Sequence, residues 1–265
     1  MKKIILLIIL ILQPLYAGCK STTYIPDKAK KLFTTVEQVN EDVLPNRFAP
    51  WYFSSLIEHE SCVQLCGKGY WARRCWSPKS RLKTYWNKDK TIPREEGAGL
   101  LQLTRAWNKT GRLRFDTIMN LKRKYPKELH ELTWKNVYKR PDLQLKAGLL
   151  LWRDNDDYLN KDITGYNRLW FLDSIYNGGS KWLLRERTKC KLKQGCNPRI
   201  WFNNVADINC RGHRKLYGNR TAWDINRHHV VDVKRRMDKY KKLYIDSQLK
   251  ILELNNSDII LNNKK

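Results

Sequence analysis

Export into an oxidising compartment constrains this chain more than any other feature of its sequence. Lys2 and Lys3 precede an unbroken apolar run, Ile4 to Leu12, and the small pair Ala17-Gly18 stands before Cys19. That is the layout of a secretory signal over residues 1–18, with an apolar run too short to span a bilayer. Seven cysteines are present. With Cys19 set aside, Cys62, Cys66, Cys75, Cys190, Cys196 and Cys210 remain, an even set suited to disulfides outside the cytoplasm. Short separations pair Cys62 with Cys75 and Cys190 with Cys196, which leaves Cys66 for Cys210. Zinc is the competing use, because Cys62 and Cys66 lie one helical turn apart and His213, His228 and His229 are available. The spacings match no usual zinc pattern, so disulfides are expected and neither a metal nor a cofactor is.

The end of the signal resembles a bacterial lipobox, in which Cys19 would be lipidated and become the mature N-terminus; the plainer alternative is an ordinary cleaved signal that leaves Cys19 free. The first reading implies a periplasmic lipoprotein anchored to a membrane, with Lys20 compatible with outer-membrane sorting. The formal net charge is +26. Removing Lys2 and Lys3 leaves about +24, which favours a polyanionic partner. Anionic lipid and anionic cell-wall polymer are within reach of an exported protein, whereas nucleic acid is favoured by charge alone and disfavoured by export.

Beyond the signal, residues 19–47 mix polar side chains with Pro26 and Pro45 and read as a tether, with room for one short helix. Helical periodicity is expected from Ala49 to about Cys66 and over roughly 99–108, 114–124, 142–160, 166–177 and 225–253. Residues 67–96 and 186–222 are rich in Gly, Lys, Arg, Trp and Cys and read as irregular, cysteine-pinned segments. Alternating β-branched runs are few, so the expected fold is mainly α, one domain with disulfide-stabilised loop insertions. Its core is placed at 48–185, with a cysteine-containing loop and basic helix at 186–253 packed on it and a frayed tail at 254–265. Trp71, Trp76 and Trp86, set among polar residues, are candidates to stack on sugar rings.

The segment "LIEHESC" at 56–62 places three titratable side chains in an apolar helix. With Phe53 at zero and roughly 100° per residue, Leu56 falls near −60°, Ile57 near +40° and Glu60 near −20°. Glu60 thus lies within the core-facing stripe, while Glu58, near 140°, and His59, near −120°, are expected at the surface. Cys62 and Cys66, near 180° and 220°, project from the opposite side and would staple the back of the helix. A carboxyl group on an apolar face holds its proton more tightly, and a carboxyl protonated near neutral pH is what a general acid requires. A merely buried glutamate, satisfied by backbone donors or an arginine, fits the wheel equally well.

Three stretches in order then carry a resemblance: Glu60-Ser61 within "EHES", Gly99-Leu100-Leu101-Gln102 within "GAGLLQL", and Ile175-Tyr176-Asn177 within "SIYNGG". They resemble the signature motifs of soluble lytic transglycosylases, relatives of goose-type lysozyme that cleave the sugar backbone of peptidoglycan. The match covers roughly residues 49–180, with longer intervals between the motifs than is usual in that family. It implies a lysozyme-like core, with the second motif a glycine turn opening a helix.

The resemblance also implies a mechanism. Glu60 acts as sole general acid and then general base on the β-1,4 bond between N-acetylmuramic acid and N-acetylglucosamine. The product carries a 1,6-anhydromuramoyl end. Ser61 is expected to position Glu60, Gly99 to leave the backbone open to the ligand, and Gln102, Tyr176 and Asn177 to orient the sugar. Peptidoglycan glycan strands are the implied partner. Two alternatives remain: a lysozyme-type hydrolase with Glu95 or Glu96 as second carboxylate, surface charge being their plainer reading, and a non-catalytic basic lipoprotein that binds the cell wall.

Overall fold

The computed structural model describes residues 24–62 and 75–262. The signal, Cys19, Cys66 and Trp71 lie outside the described residues. Eight α-helices and two small antiparallel sheets make up the described chain, so the mainly-α expectation holds at that level.

Helix α1 (Asp27–Val43) follows Pro26 and places Ala29, Phe33, Val36, Asn40 and Val43 on one face at helical spacing. That face packs on helix α5 (Pro141–Tyr158), so the segment expected to be a tether contributes to the core instead. Helix α2 (Trp51–Ser61) is buried on nearly every side, including Tyr52, Phe53, Leu56, Ile57 and Glu58. Its most extensive neighbour is the C-terminal helix α8 (Ala222–Asn262). Asn226, His229, Val230, Val233 and Tyr240 of α8 are buried at spacings of three, four and seven. Helix α8 therefore supplies one wall of the core, and its backbone continues as helix past residue 253, where a tail was expected.

The segment 81–116, read as irregular and then helical, is a four-stranded antiparallel meander: β1 (Arg81–Tyr85), β2 (Pro93–Ala98), β3 (Leu103–Trp107) and β4 (Leu113–Asp116). The expected helix at 99–108 does not form, and the glycine motif turns one strand into the next. Gly99 has φ +79° and Gln102 φ +47°, both outside the helical region, so the Leu-Leu run cannot propagate as a helix. The turn is instead bolted to α5. Leu100 N donates to Gln144 Oε1 at 2.8 Å, and a Cβ on Gly148 would stand 2.1 Å from Leu101 Cδ1. Within β2, which has little strand propensity, Glu96 stands opposite Lys83 and Arg105 and ties the sheet together through Arg81 and Arg105, at 2.6 and 2.8 Å.

Asp116 ends the sheet and caps helix α3 (Thr117–Lys124) by accepting from Met119 N at 2.9 Å. Short helix α4 (Pro126–Leu129) leads to α5. Helix α6 (Gly165–Gly178) stops at Gly179, φ +83°, and α7 (Ser180–Lys191) begins at once. Cys62–Cys75 and Cys190–Cys196 form disulfides as expected. Cys210 is a half-buried free thiol, and its expected partner Cys66 lies outside the described residues. A hairpin of β5 (Lys215–Tyr217) and β6 (Arg220–Thr221) leads into α8. No described helix is long and apolar enough to cross a membrane.

Candidate active site

Glu60 occupies the last turn of α2, where its side chain keeps 11% exposure while Glu58 and Ser61 are buried. Its Oε1 lies 2.8 Å from Nε2 of His229, which α8 delivers from across the core. The other imidazole nitrogen, Nδ1, lies 2.9 Å from Asp173 Oδ1 on α6, an ion-pair approach off the ring's N–H axis rather than an aligned hydrogen bond. Asp173 is fully buried, and its second oxygen accepts from Tyr52 OH at 2.9 Å. Three helices thus build one line of groups, Tyr52–Asp173–His229–Glu60, whose exposed end is the glutamate.

The charges in this line follow from its burial. A carboxylate with no access to water requires a cation beside it, and His229 fills that role for Asp173. Burial works against the imidazolium, but Asp173 and then Glu60 more than offset it and raise the His229 pKa to about 10. The His59 ring meets the His229 ring edge-on, with centroids 4.2 Å apart. Burial, and next the charge on His229, hold the His59 pKa well below the ordinary histidine value. Burial, helped by the charges of Glu60 and Asp173, pushes the Tyr176 phenol well above its usual value.

The three motifs occupy different layers around this line. Tyr176 OH donates to Leu101 O at 2.5 Å, joining the third motif to the second beside the first. Asn177 is exposed on the last turn of α6, and its Oδ1 accepts from Asn226 Nδ2 at 3.1 Å. Asn226 is buried and also exchanges hydrogen bonds with Ser174. The other expected ligand groups are occupied by the scaffold. Ser61 Oγ donates to Ile57 O and accepts from Trp76 N, at 2.7 and 2.8 Å, so it pins the disulfide loop rather than Glu60. At Gly99 the close approach is made by Gln144, whose Oε1 would be 2.2 Å from an added Cβ. Gln102 folds back over Gly97 and donates to Gly99 O and Ser80 Oγ, leaving only a buried Oε1 without a partner.

Two further expectations are corrected. Glu58 is not at the surface: it is 2% exposed and bound by Lys239, Arg236 and the Tyr240 hydroxyl of α8. His59 is half-buried, its ring against that of His229. A single-helix wheel defines one wall, whereas α2 has two. The signal lay in "WYFSSLI", which offers no charged face at all. Glu96 is buried, not a surface charge. Burial would raise its pKa, but Arg105 and then Arg81 overcome this and lower it. Glu95 points to the opposite face of β2, and burial raises its pKa. Trp76 is fully buried, donating to Tyr240 OH at 2.7 Å, and is closed to sugars.

His229, which the sequence offers only as a possible zinc ligand, joins Asp173, Tyr52 and Asn226, which no motif marks. A trace of them existed: Asn226, His229, Val230, Val233 and Tyr240 form a helical stripe with a histidine inside it. Among the described residues, no group of three His, Cys, Asp or Glu side chains is arranged to hold a metal ion. No protein-family model matches the chain, and no curated protein matches it.

Proposed function

We propose that this protein is an exported peptidoglycan lytic transglycosylase with a lysozyme-like core, in which Glu60 serves as general acid and then general base. The observation that carries this reading is the gathering of three sequence-distant motifs. Glu60 is the exposed end of a buried polar line that runs through His229 to Asp173 on α6, the helix that also carries Tyr176, and the Tyr176 hydroxyl is bonded to the turn of the glycine motif. Two disulfides are in keeping with an oxidising compartment. Lipidation of Cys19 would place the enzyme on a membrane facing the periplasm.

In this mechanism the proton on Glu60 passes to the glycosidic oxygen as the C1–O bond breaks, and the bonding pair leaves with the N-acetylglucosamine hydroxyl. The muramic acetamido oxygen bonds to C1 and carries the positive charge, so no protein nucleophile is needed. Glu60, now a carboxylate, removes the proton from the C6 hydroxyl. O6 then attacks C1, expels the acetamido oxygen and closes the 1,6-anhydro ring. Asn177, exposed at the end of α6, would hold the acetamido group. Hydrolysis would require a second carboxylate to activate water. Both oxygens of Glu96 are taken by Arg81 and Arg105, which leaves only Glu95 for that role.

Digestion of purified peptidoglycan, followed by mass spectrometry of the muropeptides, tests the proposal. The parent is expected to release 1,6-anhydromuramoyl ends, and Glu60→Gln to lose about 100-fold or more of the rate. Reducing ends would turn the reading to hydrolysis. Equal digestion by Glu60→Gln would overturn catalysis and favour a basic cell-wall-binding protein.

A further inference from the structure

We infer that His229 is a positioning residue for Glu60: it holds Oε1 through Nε2–H, leaves Oε2 to face the substrate, and stabilises the carboxylate formed when the proton departs. The inference rests on the transglycosylase reading and adds a second protein group to what the sequence suggested was a single-acid site.

The geometry assigns this role through three constraints. First, Nδ1 lies against the fully buried Asp173, so the imidazole is kept as a cation by a group that water cannot reach. Second, the remaining N–H at Nε2 has Glu60 Oε1 as its partner at 2.8 Å, which selects one of the two carboxyl oxygens. Third, the charges sum differently before and after proton transfer. With Glu60 protonated, the line holds one cation and one anion, Asp173. Once the proton has gone it holds a second anion, directly at the end of an N–H bond. The bond from the imidazolium, charge-assisted from one side while the carboxyl is neutral, thereby becomes a hydrogen-bonded ion pair, stronger after transfer than before. An interaction that strengthens along the reaction raises the rate instead of merely tightening binding.

The groups facing His229 come from every element packed on it. Helix α2 presents Glu60 and His59, and α6 presents Asp173, with Tyr52 behind it. Arg236 on α8 and Arg220 on β6 act on the neighbouring His59. The two nearest ionisable partners are thus both acidic, and the raised His229 pKa agrees with the cationic form. His59, held neutral and stacked edge-on, covers the ring without adding charge.

The experiment compares parent, Glu60→Gln, His229→Gln and the double variant His229→Gln/Asp173→Asn on purified peptidoglycan. The double variant removes both charges and so avoids stranding Asp173 unpaired. Thermal unfolding confirms which proteins fold. Loss of one charge-assisted hydrogen bond is expected to lower kcat by about 10–100-fold, with KM little changed. With the imidazolium gone, the pH profile of the rate is also expected to differ from that of the parent. A merely structural role would change neither the profile nor kcat in molecules that remain folded.

If the His229 variants keep the parent kcat and pH profile while Glu60→Gln is inactive, the inference fails and the functional reading stands. If Glu60→Gln is as active as the parent, the reading itself fails. Nitrogen-15 shifts of the His229 ring in the parent protein decide the matter without any variant. Protons on both nitrogens above neutral pH support the inference, and titration near the ordinary histidine value overturns it.

Discussion

Replacing Glu58 by Gln probes how α8 is held against α2, and the cost can be worked from the structure. Glu58 Oε1 receives Lys239 Nζ at 2.9 Å and Arg236 Nε at 3.2 Å, and Lys239 also reaches Oε2 at 2.7 Å. The Tyr240 hydroxyl donates to Oε2 and accepts from Trp76 Nε1. Lys239 and Arg236 side chains are only 3% and 14% exposed, so water cannot take over when the carboxylate is removed. Breaking a buried ion pair from one side costs about 3–5 kcal/mol, mostly the penalty for the charge left behind. For a protein of this size each kcal/mol moves Tm by about 2–4 °C, which gives an expected fall of about 6–20 °C.

Circular dichroism melts and urea midpoints at neutral pH measure it. Adding Lys239→Met to Glu58→Gln should recover part of the loss, because it removes one stranded cation. Below the lowered Tm, the rate on peptidoglycan per folded molecule should be unchanged. A loss of stability under about 1 kcal/mol, typical of exposed pairs, would refute the claim that this cluster is closed to water. Loss of activity without loss of stability would refute its separation from Glu60.

Two further outcomes test the sheet and its turn. Glu96→Gln should lower the urea midpoint at pH 7. Because Arg105 and Arg81 depress the folded-state pKa below 4.5, the carboxylate's contribution is present above that value and is lost as pH falls through the folded one. The gap between parent and variant should therefore narrow in acid, and a constant gap would contradict the clamp. Gly99→Ala should cost at least about 1–3 kcal/mol in thermal unfolding for the positive φ alone. Displacement of Gln144 should add to this and loosen the turn under Tyr176, lowering the rate on peptidoglycan.

Much of what the chain does locally can be read from local chemistry. The cysteine spacings give Cys62–Cys75 and Cys190–Cys196, because short separations leave few other geometries. Helical periodicity marks α3, α5 and α6 and the starts of α2 and α8 to within a few residues, whereas α8 runs on to Asn262, well past its expected end. The same periodicity sets Glu60 on the inner stripe of α2 but misplaces Glu58, which is the more buried of the two. The hairpin at 93–107 was hidden because its strands rest on ion pairs instead of β-branched alternation, and an apolar Leu-Leu pair at a tight turn imitates one turn of a helix.

What the sequence by itself determined is the inventory: a mainly helical chain, two disulfide staples, and Glu60 among the apolar positions of α2. The tertiary structure alone decided which groups that carboxyl meets. His229 is 169 residues away from Glu60 in the chain and Asp173 lies on a third helix, so no window of sequence contains the line they form. The same holds for Glu58, whose burial depends on α8 closing the far side of α2. Periodicity reports one face of one helix, whereas the state of a charged group is set by every wall around it.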